Sequence, residues 1–395
     1  MKPIRDVFEA LVPALVISCA LAAGTASAQN CEVKIGVAGP MSGGASAFGI
    51  NLKLGADFQA ALVNANGGLD VGGKKCKVVT VGYDSLYTSS GGAAAANFFA
   101  SKDIHAVLGP VGSPEVTGFK PIGLRDKLVS FNMTYAKDAI GPDYPFAFHQ
   151  LQAPPTWGPI LIKLAKDRFK LNSVMLLGPN DQGGTDGAKA LAKLYQDAGL
   201  STSEEYYQRG TINFAPLATR IMNANPSGVE LSTMPPADQS ILIRQLKEAD
   251  YRGVIGSLGG GGEKSLTDGA GSAEKLGNAY WLNIVALENP NMPLIEKDFK
   301  RVMNADAPTF PHFFVAQTAA EQVLRAISAA GTDKDGEKIA DALRKMTPES
   351  RYFGKGGWRG KTQYGINQEL AFPVGLGIYQ NGKRVGVETV QIPSE

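Results

Sequence analysis

The sequence predicts an α/β protein built as two Rossmann-like halves, and three observations carry that prediction. Apolar strand-like runs alternate with helical stretches along most of the chain, glycine-bearing turns separate them, and the alternation restarts after a proline-rich linker at 153–159. In the first half, strand candidates at 34–38, 78–82, 106–109 and 128–132 alternate with helices near 47–65, 92–101 and 115–127. After a turn at 141–145, the second half runs through a helix to 169, a strand at 173–177 and a helix at 185–198. It continues with strands at 202–207, 228–232 and 253–257, separated by helices at 214–225 and 238–249. Helical segments at 292–303, 313–330 and 335–346 follow, then a glycine-rich stretch at 353–360 and a β-rich tail at 372–379 and 384–390.

Composition narrows the function classes. With 395 residues, 44% of them hydrophobic, the chain exceeds one compact core, which excludes a single small module and global disorder. Lys+Arg number 39 against 37 Asp+Glu, a net charge of +2 with no dense basic run, so no nucleic-acid partner is expected. Residues 1–28 carry Lys2 and Arg5, an apolar stretch from 11 to 23 and the small-residue end Ala26-Ser27-Ala28, the pattern of a cleaved secretory signal peptide. That 13-residue stretch is shorter than the roughly 18–20 residues a membrane-spanning helix needs. Lipid anchoring at Cys19 is the less favoured alternative, because the apolar run continues past it. Removing the leader leaves Cys31 and Cys76, each just before an apolar β-rich run; if those runs are adjacent parallel strands entered from the same end, a disulfide joins them.

In open parallel sheets, ligands sit beyond the carboxyl ends of strands, where helix N-termini present unpaired N–H groups. The corresponding first-half loops contain Gly39 to Gly49 with Phe48, Gly109 to Glu115 with Ser113, and Asn132-Met133-Thr134-Tyr135, all rich in hydroxyls, amides and glycines. Ser113 followed by Pro114 reads as an N-cap with proline at the first helical position. Backbone N–H groups, Ser113 and Thr134 would suit a small carboxylate. The three histidines His105, His149 and His312 lack metal-ligand spacing, and no nucleophile elbow, zinc, phosphate-loop or dinucleotide signature occurs. No cofactor, metal or enzymatic activity is expected.

The run Ile35 to Gly44 (IGVAGPMSGG), with Phe48-Gly49, Asn64-Ala65-Asn66-Gly67-Gly68, Tyr83-Asp84, Leu108 to Ser113 (LGPVGS) and Arg244-Gln245-Leu246, resembles the periplasmic substrate-binding proteins of branched-chain-amino-acid-type ABC transporters. The resemblance implies a type I periplasmic binding protein: two lobes joined by three crossovers near 146–150, 280–283 and 372–375, with the ligand in the cleft between them. Residues 29–148 with 284–371 would form lobe 1, and 149–283 with 372–395 lobe 2. It further implies carboxylate contacts from Ser113, Asn132 and Thr134, packing by Phe48, and second-lobe contacts from Gly183, Met234 and Leu258.

Amino-acid binders of that family carry tyrosines at the first two of those second-lobe positions and an acid at the third. Glycine, methionine and leucine stand there in this chain, so an α-amino acid would lack a counter-charge for its ammonium unless Asp181 or Glu263 supplies one. The favoured ligand is therefore an aromatic or other non-amino organic acid, with Phe48, Tyr135, Trp157 and Met234 lining an apolar slot. The alternatives are branched-chain or other amino acids, amides or urea, or a role as ligand sensor for a membrane receptor. The expected partner is an ABC permease of the inner membrane, and the expected state is a periplasmic monomer.

Overall fold

The computed structural model describes residues 31–259, 261–283 and 290–390; the expected leader, with Cys19, lies outside them. In chain order the first sheet is started by β1 (Glu32–Gly39), β2 (Leu69–Val71), β3 (Lys74–Asp84), β4 (Ala106–Val111), β5 (Val129–Met133) and β6 (Ala147–His149). The second sheet is started by β7 (Ser173–Pro179), β8 (Ser201–Tyr207), β9 (Gly228–Glu230), β10 (Val254–Ser257) and β11 (Ala279–Asn283). A small hairpin of β12 (Glu349–Ser350) and β13 (Gly354–Lys355) precedes β14 (Gly357–Arg359) and β15 (Glu369–Ala371), which return to the first sheet. Finally β16 (Val374–Gln380) and β17 (Lys383–Val390) complete the second. The chain thus passes between the sheets three times, after β6, β11 and β15.

Strand order is β14-β15-β6-β5-β4-β1-β3-β2 in one sheet and β17-β16-β11-β10-β9-β7-β8 in the other. The order reverses beside β1 in the first sheet and beside β7 in the second, and such switch points open a crevice where neighbouring connections diverge to opposite faces. Every residue of β4 and β5 is buried, as parallel strands covered by helices on both faces require, whereas the edge strand β8 is exposed or half-buried at every position but its last, Tyr207. Strand β1 pairs with β3 in parallel from Glu32 opposite Lys77 to Gly39 opposite Asp84. That register brings Cys31 beside Cys76, and a disulfide joins them across a Cα separation of 4.5 Å.

The helices that frame the cleft are α1 (Ser46–Ala65), α2 (Ser89–Ser101), α3 (Ser113–Arg125), α4 (Pro154–Phe169) and α5 (Gln182–Asp197). Helix α2 starts at Ser89 rather than 92 because the Thr88 side chain caps it, accepting from Gly91 N–H at 2.9 Å. The strand expected to reach Ser232 stops at Glu230, where the chain turns toward the cleft. The short strands β6, β14 and β15 are too brief to show a period in the sequence, and pairing across the sheet, rather than local pattern, creates them. Among the described residues no helix is long and apolar enough to cross a membrane.

Candidate ligand-binding site

An open cavity, with about 520 Å³ of non-atom space when the solvent at its mouth is included, lies between the carboxyl ends of the two sheets. First-lobe residues Phe48, Tyr87, Val111, Gly112, Ser113, Met133, Thr134 and Tyr135 line it, with Leu151 and His312; Gly183, Ser232, Thr233 and Gly259 line it from the second lobe. None of these described lining residues bears a formal charge at neutral pH, since burial pushes the His312 pKa down to about 3.

One end of the cavity is polar. The Ser113 and Thr134 hydroxyls lie 2.8 Å apart, and Ala136 N–H donates to Thr134 Oγ1 at 3.1 Å. The cap of α3 is Gly112, not Ser113, which begins the helix with Pro114 behind it. At φ +86° the cap has a backbone that only glycine adopts without strain, and a Cβ there would stand 2.4 Å from the Tyr87 ring. The first-turn N–H groups of a helix have no partner within it, so this end favours an anion. The Glu115 side chain folds back beneath it, accepting from Val111 N–H at 3.0 Å and from the Ser85 hydroxyl at 2.5 Å. Burial, which outweighs these hydrogen bonds, pushes the Glu115 carboxyl up to about 8, so the acid is largely neutral and does not repel an anion.

The lobes meet around Tyr87. Its ring lies 4.4 Å from the Arg209 guanidinium of the second lobe, and a Cβ at Gly183 would stand 2.4 Å from its hydroxyl. Arg209 is held in place by Asp181 at 2.6 Å. Leu86 and Tyr87 are consecutive non-glycine residues in the left-handed region, at φ 55° and 58°, a strained backbone of the kind retained at functional sites. Gly183 therefore leaves room for a first-lobe tyrosine, and the volume it frees is filled from the facing lobe.

Behind the first lobe, buried His149 joins the crossovers to the site. Its Nε2 lies 2.6 Å from the Thr134 carbonyl oxygen and its Nδ1 3.0 Å from Glu369, which also accepts from Ala153 N–H and the Thr156 hydroxyl. The imidazole thus bridges the Thr134 loop and the Glu369 carboxylate of the hinge. In the second lobe, buried Glu230 accepts from the Ser232 and Tyr195 hydroxyls and from Leu258 N–H, fixing the two loops that supply Ser232, Thr233 and Gly259.

Of the residues singled out from sequence, Phe48, Ser113, Thr134, Tyr135 and Gly183 line this cavity. Asn132, Trp157, Met234 and Leu258 do not. Asn132 is wholly buried and donates to the Ala139 carbonyl at 2.7 Å. Trp157 is equally buried, donating to the Gln152 carbonyl at 2.9 Å from the core face of α4. Met234 and Leu258 enter the core, and the cavity is lined by their neighbours Thr233 and Gly259. Asp181 is spoken for by Arg209 and Glu263 by Arg384 and Tyr379, so neither belongs to the lining. The acid that does approach is Asp186 of α5, which hydrogen-bonds Ser113; burial raises its carboxyl above the ordinary value, and the Ser113 contact opposes that. Tyr87, Ser232, Thr233 and His312 were missed, although Tyr87 stands in a strand-end loop of the kind that pointed to Ser113.

Comparison with known proteins agrees with this architecture. Residues 32–372 match the family described as periplasmic binding protein. The leucine-, isoleucine-, valine-, threonine- and alanine-binding protein of Pseudomonas aeruginosa is 26% identical over 323 residues, 80% of this chain and 83% of that protein. Among solved structures, a leucine binding protein from Thermotoga maritima superimposes with a TM-score of 0.75 at 19% identity, covering 91% of this chain and 99% of that one. An ABC-transporter solute binding protein from Rhodopseudomonas palustris, in complex with p-hydroxybenzoic acid, does so with a TM-score of 0.73 at 17% identity, covering 92% and 98%. With two doubly wound lobes, a cleft at both switch points and a family match across nearly all the described chain, this protein belongs to the periplasmic binding proteins of the branched-chain-amino-acid type.

Proposed function

We propose that this chain is the solute-binding component of an ABC importer, exported by its leader to the periplasm, and that it clamps a small carboxylate with an apolar, preferably aromatic, body between its lobes. Binding is non-covalent, and the ligand is delivered intact to an inner-membrane permease. The observation that carries this reading is the lining itself: hydroxyls and a helix start at one end, Phe48, Val111, Met133, Leu151 and His312 along the walls, and no formal charge among the described lining residues. A carboxylate is served at the polar end by Ser113 and Thr134, while an ammonium would find no counter-charge among the lining residues themselves, at a cost of several kcal/mol unless Asp186 beside Ser113 supplies one.

A second reading, an α-amino acid ligand, is favoured by one observation, the Asp186 carboxyl beside Ser113. The two separate in a thermal-shift screen of ligand-stripped protein against aromatic acids, aliphatic acids and amino acids, since a ligand stabilises the folded state in proportion to ln(1 + [L]/Kd). The largest shift is expected from an aromatic acid. Leucine or valine giving the largest shift would overturn the proposal in favour of the second reading.

A further inference from the structure

Two polar atoms of the cavity wall remain without partners. The Tyr135 hydroxyl and His312 Nδ1 are both buried from solvent and hydrogen-bond to nothing among the described residues. Partnerless buried polar atoms are rare in native proteins, and two on the wall of one ligand cavity need an account. Neither belongs to the polar end formed by Ser113 and Thr134. The Tyr135 hydroxyl abuts the second lobe, where a Cβ at Gly259 would stand 2.3 Å from it. His312 follows Pro311, which packs against Gly262, 3.0 Å from a Cβ placed there. Tyr135 thus abuts the second lobe at Gly259, and His312 lies on the cavity wall next to a proline that packs on Gly262.

His312 is only 3% exposed; its ring stacks on Phe310 at 4.7 Å and meets the edge of Phe48 at 5.0 Å. These apolar neighbours hold the imidazole neutral, as one donor and one acceptor. The Tyr135 hydroxyl likewise both donates and accepts. Neither group can neutralise a second carboxylate or an ammonium, but both suit an uncharged hydroxyl.

Resting on the carboxylate reading above, we infer that the ligand carries a second, neutral hydrogen-bonding group of the hydroxyl class, remote from its carboxylate, and that Tyr135 and His312 recognise it. Specificity then follows from satisfaction of buried atoms: an acid without the hydroxyl leaves them unpaired in the closed cleft, and one with it does not.

The test is calorimetric titration of ligand-stripped protein with benzoate, 3-hydroxybenzoate and 4-hydroxybenzoate. The better hydroxylated acid is expected to bind at least tenfold more tightly than benzoate. Tyr135→Phe and His312→Phe are each expected to cut that preference to below threefold, with the ligand-free melting temperature unchanged or raised, because each removes an atom that has no partner to lose. A structural role for either group would instead lower the melting temperature and leave the preference intact. Benzoate binding as tightly as both hydroxylated acids in the unaltered protein overturns the inference while the carboxylate reading stands. Failure of all three acids, with stabilisation by leucine, overturns the reading of an amine-free acid and this inference with it.

Discussion

Replacing Ser113 by alanine tests the polar end of the cleft most directly. Ser113 is only 1% exposed, and its hydroxyl and that of Thr134 lie 2.8 Å apart. In the empty cleft the Ser113 hydroxyl is shared between Thr134 and the Asp186 carboxyl; a bound carboxylate would compete with these for the hydroxyl protons. A hydrogen bond to a charged group contributes about 1.5–3 kcal/mol, so Ser113→Ala should raise Kd by about 10- to 150-fold. Thr134→Ala should behave alike, and the double variant should lose less than the sum, because each hydroxyl positions the other and neighbouring groups are not additive. Folding of Ser113→Ala should suffer little, because Ser113 is not the cap of α3 and Thr134 Oγ1 still accepts from Ala136 N–H, whereas Thr134→Ala removes that acceptor and should also lower stability. The assay is calorimetric titration with the tightest acid from the screen, alongside urea melts of the free protein. Both single variants binding that acid within twofold of the original protein would refute the carboxylate site at Ser113 and Thr134.

Three further outcomes are expected. Gly183→Ala places a methyl group 2.4 Å from the Tyr87 hydroxyl, so ligand affinity should fall, and the double variant Gly183→Ala with Tyr87→Phe should recover most of it. Equal affinity for both would show that Tyr87 does not govern closure. Glu115 has its folded-state carboxyl pushed up to about 8, so between the ordinary carboxylate range and pH 8 the folded chain holds a proton the unfolded one has released, and stability falls as pH rises. Glu115→Gln should flatten that fall, read as the change in urea midpoint between pH 5.5 and 8.5; an unchanged slope would contradict it. The disulfide closes a 45-residue separation at the amino ends of β1 and β3, away from the cleft. Serine at both Cys31 and Cys76 should cost about 2–4 kcal/mol of stability while leaving Kd within twofold, and a large loss of affinity would argue that the bridge shapes the site.

Much of the cavity lining was legible because the rule that located it concerns strand ends, and strand ends can be read from hydrophobic runs. Ser113 and Thr134 follow β4 and β5, and Phe48 and Gly183 lie just past β1 and β7. Met234 and Leu258 each sit one residue from a lining position, Thr233 and Gly259, in the turns after β9 and β10, where no period tells which side chain faces the cleft. Asn132 lies in β5, where successive side chains face opposite sides of the sheet, and its neighbour Met133 lines the cavity. His312 carries no local signal, for it starts the helix Pro311–Ala330 and reaches the cavity only because that helix packs on α1.

By itself the sequence determined the alternation of strands and helices, the doubling of the unit and the pairing of its two cysteines, since these depend on periodicities and parities that neighbouring residues carry along the chain. Tertiary structure alone decided which glycine receives which tyrosine, which acid approaches Ser113, and that a histidine some 200 residues on from Ser113 closes the wall. Such contacts form across two lobes from segments distant in the chain, and their geometry is set by how helices and sheets pack rather than by any local preference of the residues involved.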